Sequence, residues 1–586
     1  MRSGKRIIST ALVCAALCNM AGLAASAEER AAIKISADNE IAVFSGWGTG
    51  LYCWGETLGS SEKLSTEAAQ LLYGENGLGM DIVRYDLGGG DDPRHDHYLN
   101  DNAVAEGWWS PNGLDTENML YSLDISLDGR QLNTLRKVNS VTEGSAVIEM
   151  CSFSPPYFMT NSGCTAGAVY SGEDNIREDC YDDYAGYIAS AAAKLKETGI
   201  NVSSVAPMYE PSSLHWRAFD SAREGCHVSQ GDPQSKLITQ LRQSLDNKGL
   251  SSVTISAADE TDMTTAATGM NALTPQAKSY TDRLTVHYIS GSADDLRAAA
   301  ERRPVWVTEV DGLYTAGENA GEMSAGLGLG KRIIADINNA GASAWLMWQA
   351  VISGTPDLEN SYLGLVHLDN KTAELKLSQR YYTFGQFSRY IRPSSTVIAV
   401  DENTIAAYDS SKGELAIVAV NDTAAAKPVK FSLDGFDLLK TSAVTEVRTS
   451  GSLAEGEHWA EKENAATLYR TGFSADLAPN SVTTYVLSDV MLHVEGTLGD
   501  INCDGDINIT DLNLVAAHVK AIRALDAEEL ILADVNGDGD VNVTDVSLVA
   551  AHVKGLRALE SVRRYTEDDI LTDEETTADE DTTGPE

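Results

Sequence analysis

Basic residues are scarce in this chain: 44 Lys and Arg stand against 86 Asp and Glu, for a formal charge of −42 and a pI near 4.5. A surface that neutralises phosphates needs the opposite balance, which argues against a nucleic-acid partner and suits a neutral substrate outside the cell. Long apolar runs are also lacking, apart from Ile7 to Leu23. That run follows Arg2, Lys5 and Arg6, precedes the small residues Ala25-Ser26-Ala27, and is short for a bilayer span. Residues 1–27 therefore read as a cleaved signal peptide, and no membrane span is expected later. Cysteine is sparse too. Cleavage removes Cys14 and Cys18 and leaves Cys53, Cys151, Cys164, Cys180, Cys226 and Cys503, with no CxxC pair. They read as structural thiols or bridges, and a metal site built from them is not expected.

What the chain does have is length, 586 residues, enough for several domains. Over residues 41–385 short apolar runs alternate with helical segments. The runs are Ala42 to Trp47, Met80 to Leu87, Val147 to Phe153, Val202 to Glu210, Val253 to Ala258, Leu284 to Ile289, Val305 to Val310 and Ala344 to Trp348. Helical spacing marks Tyr184 to Thr198, Gln234 to Asn247, Asp294 to Arg303 and Leu327 to Asn339. Eight strands with crossovers predict a parallel (β/α)8 barrel of the α/β class, whose reactive groups stand at the C-terminal strand ends.

On that count the fourth strand delivers Glu210, stopping beside Pro211, and the seventh delivers Glu309. Two carboxylates at one mouth suit acid/base and nucleophilic work on a shared substrate. Trp47, Trp54, Arg84, His287, Tyr288 and Trp348 lie near other strand ends. Aromatic planes offer a sugar an apolar face, and Arg84 could keep a carboxylate ionised. Trp345 and Trp348 are three apart on one strand, so only one lines the mouth, and Trp348 is nearer the end.

The stretches GWGTGLYCW, GLGMDIVRYDLGGG, SFSPPYFMTNSGC, VAPMYEP, EGCH, WVTEVDG and YYTFGQFSRYIRP, in this order, resemble glycoside hydrolase family 30, most of all its endo-β-1,6-galactanase-like members. The resemblance implies a retaining β-glycanase with Glu210 as acid/base and Glu309 as nucleophile. It also implies a side β-sandwich that takes in a strand from residues 28–40. Family members usually carry Asn before the acid/base; here Tyr209 stands there, a donor without an amide carbonyl.

Residues 386–490 change to short alternating strands with Gly, Asn-Asp and Ser turns, as in a β-sandwich. After a linker at 491–498, two near copies begin 34 residues apart, DINCDGDINITD and DVNGDGDVNVTD, each followed by a helix containing LVAAHVK. Oxygen-bearing residues at calcium-loop spacing are Asp500, Asn502, Asp504, Asp506, Asn508 and Asp511, then Asp534, Asn536, Asp538, Asp540, Asn542 and Asp545. Gly505 and Gly539 allow the sharp turn. Asp rather than Glu at position 12, and no entering helix before the first loop, resemble a type I-like dockerin over residues 499–560. That resemblance implies two Ca2+ ions and a cohesin partner on a scaffoldin, touched by Ile509, Thr510, Val543 and Thr544. Residues 561–586 are acidic and expected to be disordered.

Together these features predict a secreted, cellulosome-associated glycoside hydrolase that needs no cofactor for catalysis. It would cut plant polysaccharide, with β-1,6-galactan side chains of arabinogalactan as first substrate. Xylan or β-1,6-glucan is the alternative, as is a catalytically weakened, carbohydrate-binding component, which Tyr209 leaves open.

Overall fold

The computed structural model describes residues 30–98, 105–220, 223–288, 290–310, 320–354, 363–493, 497–537, 539–559 and 569–572. The signal peptide expected at 1–27 and most of the expected acidic tail lie outside them. Among the described residues no helix is long and apolar enough to cross a membrane.

Eight parallel strands close into a barrel: β1 (Gly46–Gly50), β2 (Ile82–Leu87), β3 (Val147–Ser152), β4 (Ser204–Ala206), β5 (Thr254–Asp262), β6 (Arg283–Tyr288), β7 (Val305–Val310) and β8 (Ala342–Met347). Most are buried along their whole length, as strands covered by helices outside and packed side chains inside must be. The helices over the expected segments are Tyr181–Glu197, Asp232–Asn247, Ala293–Ala300 and Met323–Ala340, each laying an apolar stripe on the barrel.

Three strand assignments differ from expectation, the simplest being β5, which runs on to Asp262, past the expected end at Ala258. Ala42 and Val43 are not in the barrel: Glu40–Val43 pairs with Thr396–Asp401, and β1 begins at Gly46. β4 also stops at Ala206, four residues before Glu210, because Pro207 has no N–H to continue the ladder.

Beside the barrel a seven-stranded sheet faces a four-stranded one across a separate apolar core. Ala31–Ser36 joins the smaller sheet, parallel to Lys427–Asp434. The helix Gln379–Ser388 links this unit to the barrel. Its Phe384 and Phe387 pack on Trp47, and a Cβ on Gly385 would lie 2.2 Å from the Trp459 ring, so only glycine allows that approach. The tail expected to be disordered is partly docked: Leu571 N donates to Leu438 O at 2.8 Å and the Leu571 side chain joins the sandwich core. Two apolar residues in an acidic stretch suffice for that anchor.

The C-terminal unit has its own small core around Ile501, Val515, Leu525 and Leu532. Its helices Ile509–Val519 and Val543–Val553 start with identical capping boxes, Asn508 with Asp511 and Asn542 with Asp545.

Candidate active site

Glu210 is held at the C-terminal mouth by its backbone. Its φ is +43°, unusual for a residue with a side chain, and the peptide is fixed on both sides: Glu210 N donates to Asp259 O at 2.9 Å, and Trp216 Nε1 donates to Glu210 O at 2.8 Å. Glu309 comes from the end of β7. Both carboxylates are buried, and with His287 from β6 they form a group whose facing atoms lie within 4.8 Å of one another. His287 Nδ1 is 3.2 Å from Glu210 Oε1 and 3.6 Å from Glu309 Oε2, and its Nε2 is 3.4 Å from Asp259 Oδ2.

Arg84, buried on β2, connects the acids. It reaches Glu309 Oε1 at 3.4 Å, Asp259 Oδ2 at 2.6 Å and Glu149 Oε2 at 3.5 Å, and donates to Cys151 Sγ at 3.1 Å. The Tyr209 hydroxyl donates to Glu309 Oε2 at 3.0 Å. Each Glu309 oxygen therefore faces a donor, the pattern of a carboxylate rather than a carboxylic acid. Arg223 lies 3.6 Å from Glu210 Oε1 and stands over the Tyr209 ring at 5.0 Å.

Electrostatics divide the protons unevenly. Burial raises Glu309 above the usual carboxylate range, against the pull of His287, Arg84 and Arg223. Burial would raise Glu210 too, but the hydrogen bond and charge of His287, with Arg223, hold it below that range. Burial opposes a charge on His287, yet Glu309 and Asp259 push its pKa up to about 10, so the imidazole is protonated at neutral pH. Asp259 is held well below the usual range by Arg84 and His287 in spite of its burial.

Of the aromatic candidates, Trp348 is half-buried near the mouth, stacked on Tyr52 with ring centres 6.0 Å apart and planes at 18°. Trp345 points the other way, its Nε1 donating to Asp336. Trp47 and Trp54 do not line the mouth. Strand alternation turns Trp47 outward onto Phe44, Phe384 and Phe387, with Nε1 bonded to Ile391 O, while Trp54 is sealed in the core with Nε1 on Gly50 O. The Tyr288 side chain lies outside what the structure describes. Asp259, Arg223 and Tyr52 were missed. Asp259 follows the apolar run of the fifth strand by a single residue, so a longer reading of AADETD would have found it; Arg223 is set by a loop and has no such signal.

In the C-terminal loops Asp500 Oδ2 accepts from Gly505 N at 2.9 Å, and Asp511 is fully buried, with both oxygens bonded to loop amides. Gly505 and Gly539 have φ near +92° and +96°. This turned, oxygen-only donor set fits a hard divalent cation. Asp534, Asn536, Asp540, Asn542 and Asp545 repeat the arrangement, and Asp538 lies outside the described residues. Ile509, Thr510, Val543 and Thr544 are exposed at the two helix starts.

Residues 75–302 match the model of O-glycosyl hydrolase family 30, and residues 498–554 match the type I dockerin domain, a class that generally binds calcium. An exo-β-1,6-galactobiohydrolase of Bifidobacterium longum subsp. longum is 22% identical over 415 residues, spanning 55% of this chain. The match spans only 27% of that relative's length. Among solved structures, the catalytic domain of xylanase C from Talaromyces cellulolyticus superposes with a TM-score of 0.61 at 20% identity, over 78% of this chain and 100% of that one. An endo-β-1,6-glucanase gives 0.54 at 16% identity, over 78% and 94%. At these identities the structural likeness speaks for the fold.

Proposed function

From a chain that carries an O-glycosyl hydrolase family 30 domain and a type I dockerin domain, we propose a secreted retaining β-glycanase, recruited to a scaffoldin through a cohesin. One observation carries the chemistry: Glu210 and Glu309 stand buried at one mouth with facing oxygens within 4.8 Å. Double displacement needs carboxyl groups about 5 to 5.5 Å apart, whereas inversion needs room for a water, at about 6.5 to 9.5 Å.

Glu309 attacks the anomeric carbon while Glu210 protonates the leaving oxygen; Glu210 then takes a proton from the water that releases the sugar. Before substrate binds the proton sits on His287, and the 3.2 Å contact to Glu210 Oε1 is its path to the acid. Tyr209 keeps the nucleophile charged, so its presence is compatible with turnover. Trp348 and Tyr52 form the sugar platform. β-1,6-Galactan is the first substrate because the curated relative acts on β-1,6-linked galactose, as its name says. Two calcium ions, one per loop, order the dockerin.

The pKa directions favour one other reading, in which Glu309, the raised carboxyl, is the acid and Glu210 the nucleophile. Azide rescue separates the two. Under the proposed roles, Glu309→Gly with azide yields the inverted α-glycosyl azide and Glu210→Ala the β-glycosyl azide. The opposite pattern reverses the roles, and no turnover of β-1,6-galactan, xylan or β-1,6-glucan by the wild type leaves a binding module.

A further inference from the structure

Beside the mouth, and outside the catalytic group, four side chains of different chemistry converge. Asp91, His95 and His97 come from the loop after β2, and Cys164 comes from the loop after β3. One donor atom from each lies within 4.8 Å of all the others. Asp91 Oδ2 is 3.0 Å from His95 Nδ1 and 2.8 Å from His97 Nε2, and His97 Nε2 is 3.4 Å from Cys164 Sγ.

The groups behind these atoms fix them in place. His97 Nδ1 is 2.8 Å from Asp220 O, and Thr165 N donates to Asp91 Oδ1 at 3.0 Å. A carbonyl can only accept, so Nδ1 carries the hydrogen, and in a neutral imidazole the lone pair of Nε2 then points at a carboxylate oxygen. Nε2 and the carboxylate oxygen, 2.8 Å apart, are thus placed to hold a cation between them, a proton or a metal ion. An imidazole bonded to a carbonyl through its far nitrogen, and a carboxylate with its second oxygen on an amide, are the usual outer partners of metal ligands.

We propose that Asp91, His95, His97 and Cys164 bind one zinc ion that ties together the loops on this side of the active-site mouth. One oxygen, two imidazole nitrogens and one thiolate form a closed tetrahedral set of the kind structural zinc takes, and sulfur and nitrogen donors disfavour calcium or magnesium. Tetrahedral donors about 2.0 to 2.3 Å from zinc lie roughly 3.3 to 3.8 Å apart, so the two Asp91–histidine pairs, at 3.0 and 2.8 Å, would open by a few tenths of an ångström while the widest pair of the group, within 4.8 Å, would close. The site binds a third loop too. Asp220 accepts from His97, and Phe219 packs on both histidines with ring centres 5.1 and 5.8 Å away. That loop leads to Arg223, the partner of Glu210. Cysteine spacing gave no hint of the site because only one of its ligands is a cysteine.

The test uses the full-length, tag-free protein, stripped with a chelator, resupplied with calcium, incubated with excess zinc chloride and desalted. Metal analysis is expected to give one zinc per chain, falling to background in both His95→Gln and Cys164→Ser. Cobalt in place of zinc is expected to show tetrahedral visible bands, and a thiolate charge-transfer band that Cys164→Ser abolishes. His95 is partly exposed, so His95→Gln tests the site without opening the core, and unchanged circular dichroism certifies each variant. No retained zinc overturns the proposal. Zinc retained equally by both folded variants overturns it as well, since the ion then sits elsewhere.

Discussion

Replacing Tyr209 by Phe removes a single oxygen, the one that donates to Glu309 Oε2 at 3.0 Å. The ring keeps its packing against Phe153, His287 and Trp216, so the fold is expected to survive. Burial holds the Tyr209 phenol well above its ordinary pKa, so it donates at every working pH. A hydrogen bond to a buried charged group contributes about 1.5 to 3 kcal/mol, which is about one to two pH units in the ionisation it supports. On the proposed roles Glu309 must be ionised to attack, so activity is expected to be lost as pH falls through its pKa. Without the phenol the neutral acid gains, and burial, which already raises this carboxyl, has one less opponent. The acidic limb of kcat/KM is therefore expected to move up by about one to two pH units, with a much smaller change on the plateau. The assay is a pH series of initial rates on β-1,6-galactan. A uniform loss across all pH with the limb unmoved would mean that Tyr209 serves the sugar rather than the nucleophile, and would refute the reasoning.

Three further perturbations test neighbouring parts. His287→Gln removes a group whose pKa is raised to about 10 in the fold from about 6.5 unfolded. The stability this gives is full below about pH 6.5 and is lost as pH rises toward 10. The variant should lose that slope in melting temperature between those values, and the alkaline limb of its activity should fall. Trp348→Ala should raise KM about 5- to 30-fold, from roughly 1 to 2 kcal/mol of lost stacking, whereas Trp47→Phe should lower the melting temperature and leave KM alone. A calcium chelator, or Asp511→Ala, should abolish cohesin binding and the helical signal of residues 509–553 while hydrolysis of soluble glycan persists; retained cohesin binding would disprove the calcium dependence.

Legibility from sequence followed the physics of each element. The barrel strands were plain because burial on both faces makes them continuous apolar runs, and β7 was read to the residue. Glu210 and Glu309 were visible as the charges that end such runs. The error at Trp47 came from facing: a run buried on both sides has no polar alternation to say which side chains point inward. The start of β1 was misplaced because Ile41, Ala42 and Val43 are also apolar, and only long-range pairing of Glu40–Val43 with Thr396–Asp401 assigns them to the other sheet. Arg223 was beyond reach for the same reason, being brought to Glu210 by a loop.

Charge balance explains why the buried group around Glu210 and Glu309 holds one proton beside its three arginines. Among the described residues, the groups joined by ion pairs of 3.8 Å or less are Glu149, Asp259, Glu210 and Glu309 on one side and Arg84, Arg223, Arg283 and His287 on the other. With the imidazole protonated these eight sum to zero, and a buried cluster with net charge is costly. On the proposed roles, bond formation turns Glu309 into a neutral ester while the leaving oxygen takes a proton that originated on His287. One negative and one positive charge disappear together, and three of each remain. The cluster thus enters and leaves the first displacement neutral. If Glu210 instead held the proton beside a neutral His287, the same net charge would result, so passing the proton across the 3.2 Å contact leaves the cluster neutral. The alkaline limb of activity therefore belongs to the pair, and a carboxyl held low before substrate binds can still act as the acid.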